Sequence, residues 1–210
     1  MADLNSLIEG YHRFRNNGWV KERTRWAELA EGQQPRVMVI ACADSRTDPA
    51  RIFDTAPGEI FTVRNIANLV PPFELGGGRH GVSAALEFAV SILEVPEIIV
   101  MGHGSCGGVH AALSRCFEHA PPGEGGFIAH WIDLLDEARD RIVAEHGEGP
   151  AATRAMELET VRLSIANLRT FPCVREREAA GKLTLHGAYF AIADGILHVL
   201  DKESGEFAPA

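Results

Sequence analysis

PRVMVIACADSR, residues 35–46, runs from a short apolar segment straight into a thiol, a carboxylate and a guanidinium. Arg36–Ala41 has the composition of a buried strand. Cys42, Asp44, Ser45 and Arg46 follow at its carboxyl end, where open α/β sheets build their sites. Further along, Glu97–Met101 is a second strand-like run, ending in Gly102-His103-Gly104-Ser105-Cys106-Gly107-Gly108. Two strand ends that each carry soft or borderline ligands read as the two halves of one zinc site. Zinc takes thiolate sulfur at about 2.3 Å and imidazole nitrogen at about 2.0–2.1 Å in a tetrahedral shell. His103 and Cys106 are close enough for one turn to aim both at one ion, and Gly104 lets that turn bend. Cys42 supplies the third ligand from the neighbouring strand. Three protein ligands leave a fourth position for water, which separates a catalytic zinc from a structural one. Asp44 keeps both outcomes open: its carboxylate can take the fourth position, and Arg46 can pair with it bidentately and hold it away. The competing readings are a purely structural zinc and a buried cysteine beside an ordinary ion pair.

The rest of the chain limits the classes to consider. At 210 residues it suits one α/β domain, 1–210, with a helical arm over 1–33 and a core over 34–205. A net charge of −9 with scattered basic residues leaves no nucleic-acid footprint. The cysteines at 42, 106, 116 and 173 form no framework of close pairs, so Cys116 and Cys173 are expected as free thiols or core residues. The opening MADLNSLIEGYHRFRNNGW lacks the apolar core of a signal peptide. No stretch approaches about 18 uninterrupted apolar residues, so no membrane span is expected and the simplest location is cytoplasmic.

In chain order, Asp3–Phe14 and Lys21–Ala30 have helical spacing. Asp48–Asp54 is a short helical crossover, Pro57-Gly58-Glu59 a turn and Ile60–Val63 the second strand. Gly76-Gly77-Gly78 marks a loop and lacks the Gly-x-Gly-x-x-Gly pattern of a dinucleotide site. Gly81–Leu93 and Val109–Cys116 read as helices, the latter pointing its positive dipole end at the metal residues. Phe127–Glu145 and Ala152–Leu168 are two long amphipathic helices split by Gly147-Glu148-Gly149-Pro150. Lys182–Leu185 and Ala188–Ile192 make one strand interrupted near Gly187, and Asp194-Gly195 turns it into an antiparallel edge strand, Ile196–Leu200. His110, His119 and His130 read as surface or capping residues. The class is α/β: a mostly parallel central sheet with an antiparallel edge strand, flanked by helices.

With these residues in place, the sequence resembles the β-class carbonic anhydrases, and locally their plant-type branch. Their Cys-x-Asp-Ser-Arg motif matches Cys42–Arg46, and their His-x-x-Cys followed by two glycines matches His103–Gly108. The likeness extends through Pro57-Gly58-Glu59, Val63–Asn68 and Leu185–Tyr189, over roughly residues 20–203. It implies one zinc per chain and reversible hydration of carbon dioxide to bicarbonate and a proton. In that scheme zinc-bound hydroxide attacks, Asp44 orients it and Arg46 fixes Asp44. It also implies that Gln33 (or the adjacent Gln34) and the amide of Gly107 hold a substrate oxygen, and that Phe61, Ile66 and Phe88 supply an apolar wall. It implies N-terminal helices packed across a homodimer, the unit of any larger homo-oligomer.

Zinc lowers the pKa of bound water toward neutrality. Two thiolates put more negative charge on the ion than three histidines do and weaken that effect, and backbone amides near the sulfurs offset part of the loss. Some family members carry a bicarbonate pocket built on a tryptophan, an arginine and a tyrosine. Here Val39 stands at the tryptophan position, Arg64 matches the arginine, and the tyrosine position falls near Phe190. The expectation is therefore no such pocket and an open, water-bearing zinc at neutral pH. Two alternatives use the same scaffold: a hydrolase for carbon disulfide or a related heteroallene, and a non-catalytic protein that binds zinc or bicarbonate.

Overall fold

The structure, a computed structural model, describes residues 3–76 and 78–210; Gly77, in the glycine loop read from the sequence, lies outside them. The described residues fall into two compact units, one ending at Gln34 and the other starting at Pro35.

The first unit is helical. α1 (Leu4–Arg13) starts in a capping box, the Asp3 side chain accepting from the Ser6 amide while the Ser6 hydroxyl accepts from Asp3. A single π-helical turn over Phe14–Gly18 leads into α2 (Trp19–Lys21), and α3 (Arg23–Glu31) ends at Gly32. Phe14 meets Trp26 edge-on, and Arg15 lies over Trp19 at 3.9 Å. The apolar stripe of α1 stays open: Leu4 is 72% and Leu7 63% exposed, with Ile8, Tyr11 and Phe14 also exposed.

The second unit is built on a six-stranded sheet: β1 (Val37–Cys42), β2 (Ile60–Asn65), β3 (Glu97–His103), β4 (Thr184–Ala191), β5 (Ile196–Leu200) and β6 (Phe207–Pro209). The order is β2-β1-β3-β4-β5-β6; the first four strands are mutually parallel, and β5 and β6 continue antiparallel. β1 is interior, flanked by β2 and β3, and buried on both faces, which is why its sequence is continuously apolar. Met38 and Ile40 enter one core, Val39 and Ala41 the other. Ala41 pairs with Met101, so Cys42 and His103 leave the sheet at the same end.

The helices of this unit are α4 (Pro49–Ile52), α5 (Gly81–Glu87, continued by a π turn to Ile92), α6 (Gly107–Ser114), α7 (Gly126–Ile132), α8 (Asp136–His146), α9 (Pro150–Leu168) and α10 (Pro172–Ala179). The single helix expected over Phe127–Glu145 is two, because a tight turn at Asp133–Leu135 swings Leu135 fully into the core. β4 runs through Gly187 without a break. A Cβ on Gly187 would lie 2.9 Å from both Val161 and Leu200, so the glycine marks close packing of α9 and β5 rather than an interruption. α10 and β6 carry no signal strong enough to be read from sequence.

α9 decides how the site is framed. Its buried stripe holds Met156, Val161, Ile165 and Leu168, and also Glu157, Thr160 and Ser164. Ser164 donates to the Asn68 carbonyl at 3.0 Å and accepts the Val70 amide at 3.2 Å, while Thr160 accepts from the Asn68 side chain. These bonds pin the segment after β2, where Ala67 and Asn68 take left-handed φ angles of 60° and 50°.

Candidate metal centre

Cys42 ends β1, His103 ends β3, and Cys106 caps the N-terminus of α6. The connecting turn reverses through Ser105, a left-handed residue with φ 55°. All three ligand residues are buried, with 5%, 2% and 2% of their surface exposed, and their ligand atoms lie within 4.8 Å of one another. The two sulfurs are 3.9 Å apart. Two thiolates on one tetrahedral zinc would stand about 3.8 Å apart, given the usual bond length of about 2.3 Å. The Cys–His–Cys group is positioned for a metal ion.

Two further observations fit a cation. Nδ1 of His103 faces the Gly104 carbonyl at 2.9 Å, which assigns the proton to Nδ1 and leaves Nε2 as the acceptor nitrogen. That Nε2 is buried with no hydrogen-bond partner among the described residues, an arrangement that costs free energy unless something binds it. The thiols point the same way. In the absence of a cation, the hydrogen bond from Cys106 holds Cys42 far below the usual thiol range, and the same contact together with burial pushes Cys106 far above it. Two adjacent sulfurs share one proton in that state, whereas a divalent ion lets both ionise. Backbone amides already face them: Asp44 and Ala67 donate to Cys42, Gly108 and Val109 to Cys106.

Asp44 sits beside the cluster, its Oδ2 3.9 Å from His103 Nε2. Arg46 grips it in bidentate fashion, Nε to Oδ1 at 2.9 Å and Nη2 to Oδ2 at 2.7 Å, and the Arg46 amide adds a third bond to Oδ1 at 2.9 Å. These bonds hold the Asp44 carboxyl well below the usual carboxylate range. Arg46 also donates to the Ser105 carbonyl at 3.0 Å, tying the two strand ends together.

A family model described as carbonic anhydrase matches residues 37–197. The chain belongs to the β-carbonic anhydrase family. Beta carbonic anhydrase 3 of Arabidopsis thaliana is 36% identical over 90% of this chain and 73% of its own length. A carbonic anhydrase of Pseudomonas aeruginosa is 35% identical over 97% and 90%. Among solved structures, the β-carbonic anhydrase CcaA superposes with a TM-score of 0.90 at 30% identity, covering 99% of this chain and 92% of that one. A tetrameric β-carbonic anhydrase from Sordaria macrospora gives a TM-score of 0.73 at 29% identity, over 92% and 96%.

Of the remaining residues singled out from this β-carbonic anhydrase sequence, Ile66 lies against Gly108 in the first turn of α6, beside Gly107, whereas Phe61 and Phe88 pair elsewhere. Phe61 stacks on Phe88 with ring centroids 6.0 Å apart, and Phe88 stays exposed. Ile66 lies past the other end of β2, about 16 Å from Phe61 at the usual strand rise. It belongs to a cavity of about 510 Å³ lined also by Pro71, Val82, Phe127 and Trp131, and the Trp131 indole donates to its carbonyl at 2.8 Å. Gly107 opens α6, so its amide is among the first-turn donors with no acceptor inside the helix. Gln33 and Gln34 lie exposed in the extended end of the N-terminal unit. Cys116 is exposed and Cys173 half-buried, both as free thiols.

Sequence reasoning passed over the work of three residues. Arg64 donates to the Cys42 carbonyl at 2.9 Å, to the Asp44 carbonyl at 2.6 Å and to Asp48 at 3.2 Å, so it is the brace under the Cys42–Asp44 loop. Glu157 accepts the Cys106 amide at 3.3 Å and the Tyr189 hydroxyl at 2.8 Å. The signal for Glu157 was available: an acidic residue on the apolar stripe of α9, one turn before Val161.

Proposed function

We propose that the protein catalyses the reversible hydration of carbon dioxide to bicarbonate and a proton. The observation that carries this is the Cys42–His103–Cys106 cluster with Asp44 held beside it by Arg46. A zinc ion held by these three residues lowers the pKa of a bound water and so supplies a nucleophile near neutral pH.

The chain's own residues do the rest. Oδ1 of Asp44 is filled by two Arg46 donors, while Oδ2 takes one and faces the ligand cluster. That oxygen keeps acceptor capacity for a hydrogen of the attacking water, turning the water's lone pair toward the carbon of carbon dioxide. Because Arg46 keeps Asp44 ionised and oriented, the acceptor needs no rearrangement at the moment of attack. The Gly107 amide donates to a substrate oxygen, and Arg46 stops Asp44 from occupying the position that water needs.

One protomer does not complete the substrate wall. Phe61 with Phe88 and Ile66 sit at opposite ends of β2, so one apolar pocket containing all three draws on two copies of the chain. The exposed stripe of α1 supports the same arrangement, a homodimer in which the N-terminal arm packs on the partner's single α/β domain. Among the described residues no helix is long and apolar enough to cross a membrane. The unpaired thiols favour a reducing compartment such as the cytoplasm.

Stopped-flow carbon dioxide hydration from about pH 6.5 to 9, with zinc measured on the same sample, tests the activity. Rapid hydration that disappears in Cys106→Ala is the expected result. Full zinc occupancy without hydration would refute the reading and turn attention to carbon disulfide. Light scattering that returns a monomer would remove the shared pocket.

A further inference from the structure

We propose that Glu157 is a positioning residue for the metal centre, setting the direction of the Cys106 sulfur through the Cys106 backbone amide. The inference rests on the metal-centre reading above and concerns how the chain holds its second thiolate.

The turn from His103 to Cys106 is anchored from three sides. Gly104 donates its amide to the Phe190 carbonyl at 3.0 Å, and the Ser105 carbonyl accepts Arg46 at 3.0 Å. The third anchor is the Glu157 carboxylate on the Cys106 amide. Fixing that N–H fixes the plane from which the Cys106 Cα–Cβ bond leaves, and hence where the sulfur can reach. Ser105 sits in the left-handed region, so the turn is held in a conformation it would otherwise leave.

Glu157 is itself locked. It is buried, 4% exposed, on the face of α9 turned to the sheet. Its second oxygen takes the Tyr189 hydroxyl, and the Arg154 guanidinium covers the Tyr189 ring at 3.6 Å. Tyr189 reaches this point because residue 104 is glycine: a Cβ there would lie 2.8 Å from the tyrosine oxygen. A carboxylate spent on one main-chain amide and one hydroxyl, inside a core, is a costly way to dock a helix. Beside a metal-binding thiolate it has a use, because partners that orient metal ligands govern metal retention.

The test compares metal retention in full-length wild type, Glu157→Ala, Glu157→Gln and Tyr189→Phe. The readouts are zinc release to excess EDTA and the visible d–d spectrum of the cobalt(II) forms. Glu157→Gln keeps an oxygen acceptor for the amide and offers an N–H to the tyrosine oxygen. Glu157→Ala, with unchanged far-UV circular dichroism, should release zinc about 10–100-fold faster and shift the cobalt bands, while Glu157→Gln stays within about threefold of wild type. Tyr189→Phe, which frees one side of the carboxylate, should fall between them. A Glu157→Ala protein with wild-type release and an unshifted spectrum would overturn the proposal, as would a Glu157→Gln protein no better than Glu157→Ala. Should Glu157→Ala not fold, unchanged release in Tyr189→Phe overturns it. Metal release is read independently of turnover, so the comparison decides the role of Glu157 whether or not the wild type hydrates carbon dioxide.

Discussion

Replacing Gly102 by alanine should push α9 off the sheet and loosen the whole site frame. A Cβ at this position would lie 2.8 Å from Val161 Cγ2 and 3.3 Å from the Glu157 carbonyl oxygen. Carbon atoms pack at about 3.5–4.0 Å, so the overlap with Val161 is close to 1 Å. Val161 has nowhere to turn. It is fully buried, its other methyl fills the space over Gly187, and a valine in a helix has one strongly favoured rotamer. The helix must therefore back away, at about 1–3 kcal/mol for an overpacked core. The backbone at Gly102 is not left-handed, so alanine recovers about 0.4–1 kcal/mol by restricting the unfolded chain. The net loss is about 1–2 kcal/mol, or a fall in melting temperature of about 2–8 °C for a chain of this size. Urea denaturation of wild type, Gly102→Ala, Val161→Ala and the double variant, at one protein concentration, measures it. With the valine methyls gone, Gly102→Ala should cost less than about 0.5 kcal/mol, which makes the two sites coupled by about 1–2 kcal/mol. An equal cost in both backgrounds, or none in either, would refute the close-packing argument.

Arg46→Ala leaves Asp44 with only the backbone amide of residue 46 and free to turn onto the ligand cluster. Zinc content should persist while hydration falls about 100-fold, the usual penalty for a misplaced catalytic group; undiminished stopped-flow rates would argue against it. Burial and the hydrogen bond to Glu157 raise the Tyr189 pKa above that of an ordinary tyrosine. Its contribution to stability is therefore complete below about pH 10 and declines as the pH rises beyond that, whereas a Tyr189→Phe protein should lack this decline in alkaline melts. Chelating the zinc should let two further thiols react with Ellman's reagent, slowly because both are buried, and Cys106 last because its thiol holds the proton the pair shares. Cys42 and Cys106 are then released from the ion, while exposed Cys116 reacts throughout. An unchanged thiol count would place the metal elsewhere.

The parts of this molecule that a sequence displays are those where composition and position coincide. β1 is buried on both faces, so its six residues are apolar without alternation, and the ligands follow at once. The Asp194-Gly195 turn announces β5 because Gly195 needs its φ of 70°. The three-residue β6, which continues from β5 as its antiparallel neighbour, and the polar α10, whose Arg177 reaches back to Glu94, have no such marker. Within the site, Cys42, Asp44, Arg46, His103 and Cys106 fall in two short motifs. Glu157 and Tyr189 reach the same turn from α9 and β4, and no local spacing connects them to it. Arg64 was visible as a residue, but its bonds to two carbonyls of the Cys42–Asp44 loop exist only once β2 lies beside β1.

Parallel neighbours in a sheet cannot be joined by a hairpin, and β1 reaches β3 only after β2 and α5 have been laid down between them. Cys42 therefore meets His103 and Cys106 only through a long-range pairing, whose loop-closure entropy must be paid before its contacts form. The metal centre acts as a clock for the fold. A zinc ion that recognises the finished arrangement and not the open chain can be captured only once β1 and β3 have paired. Once captured, it draws the population toward the native state in proportion to the logarithm of its free concentration.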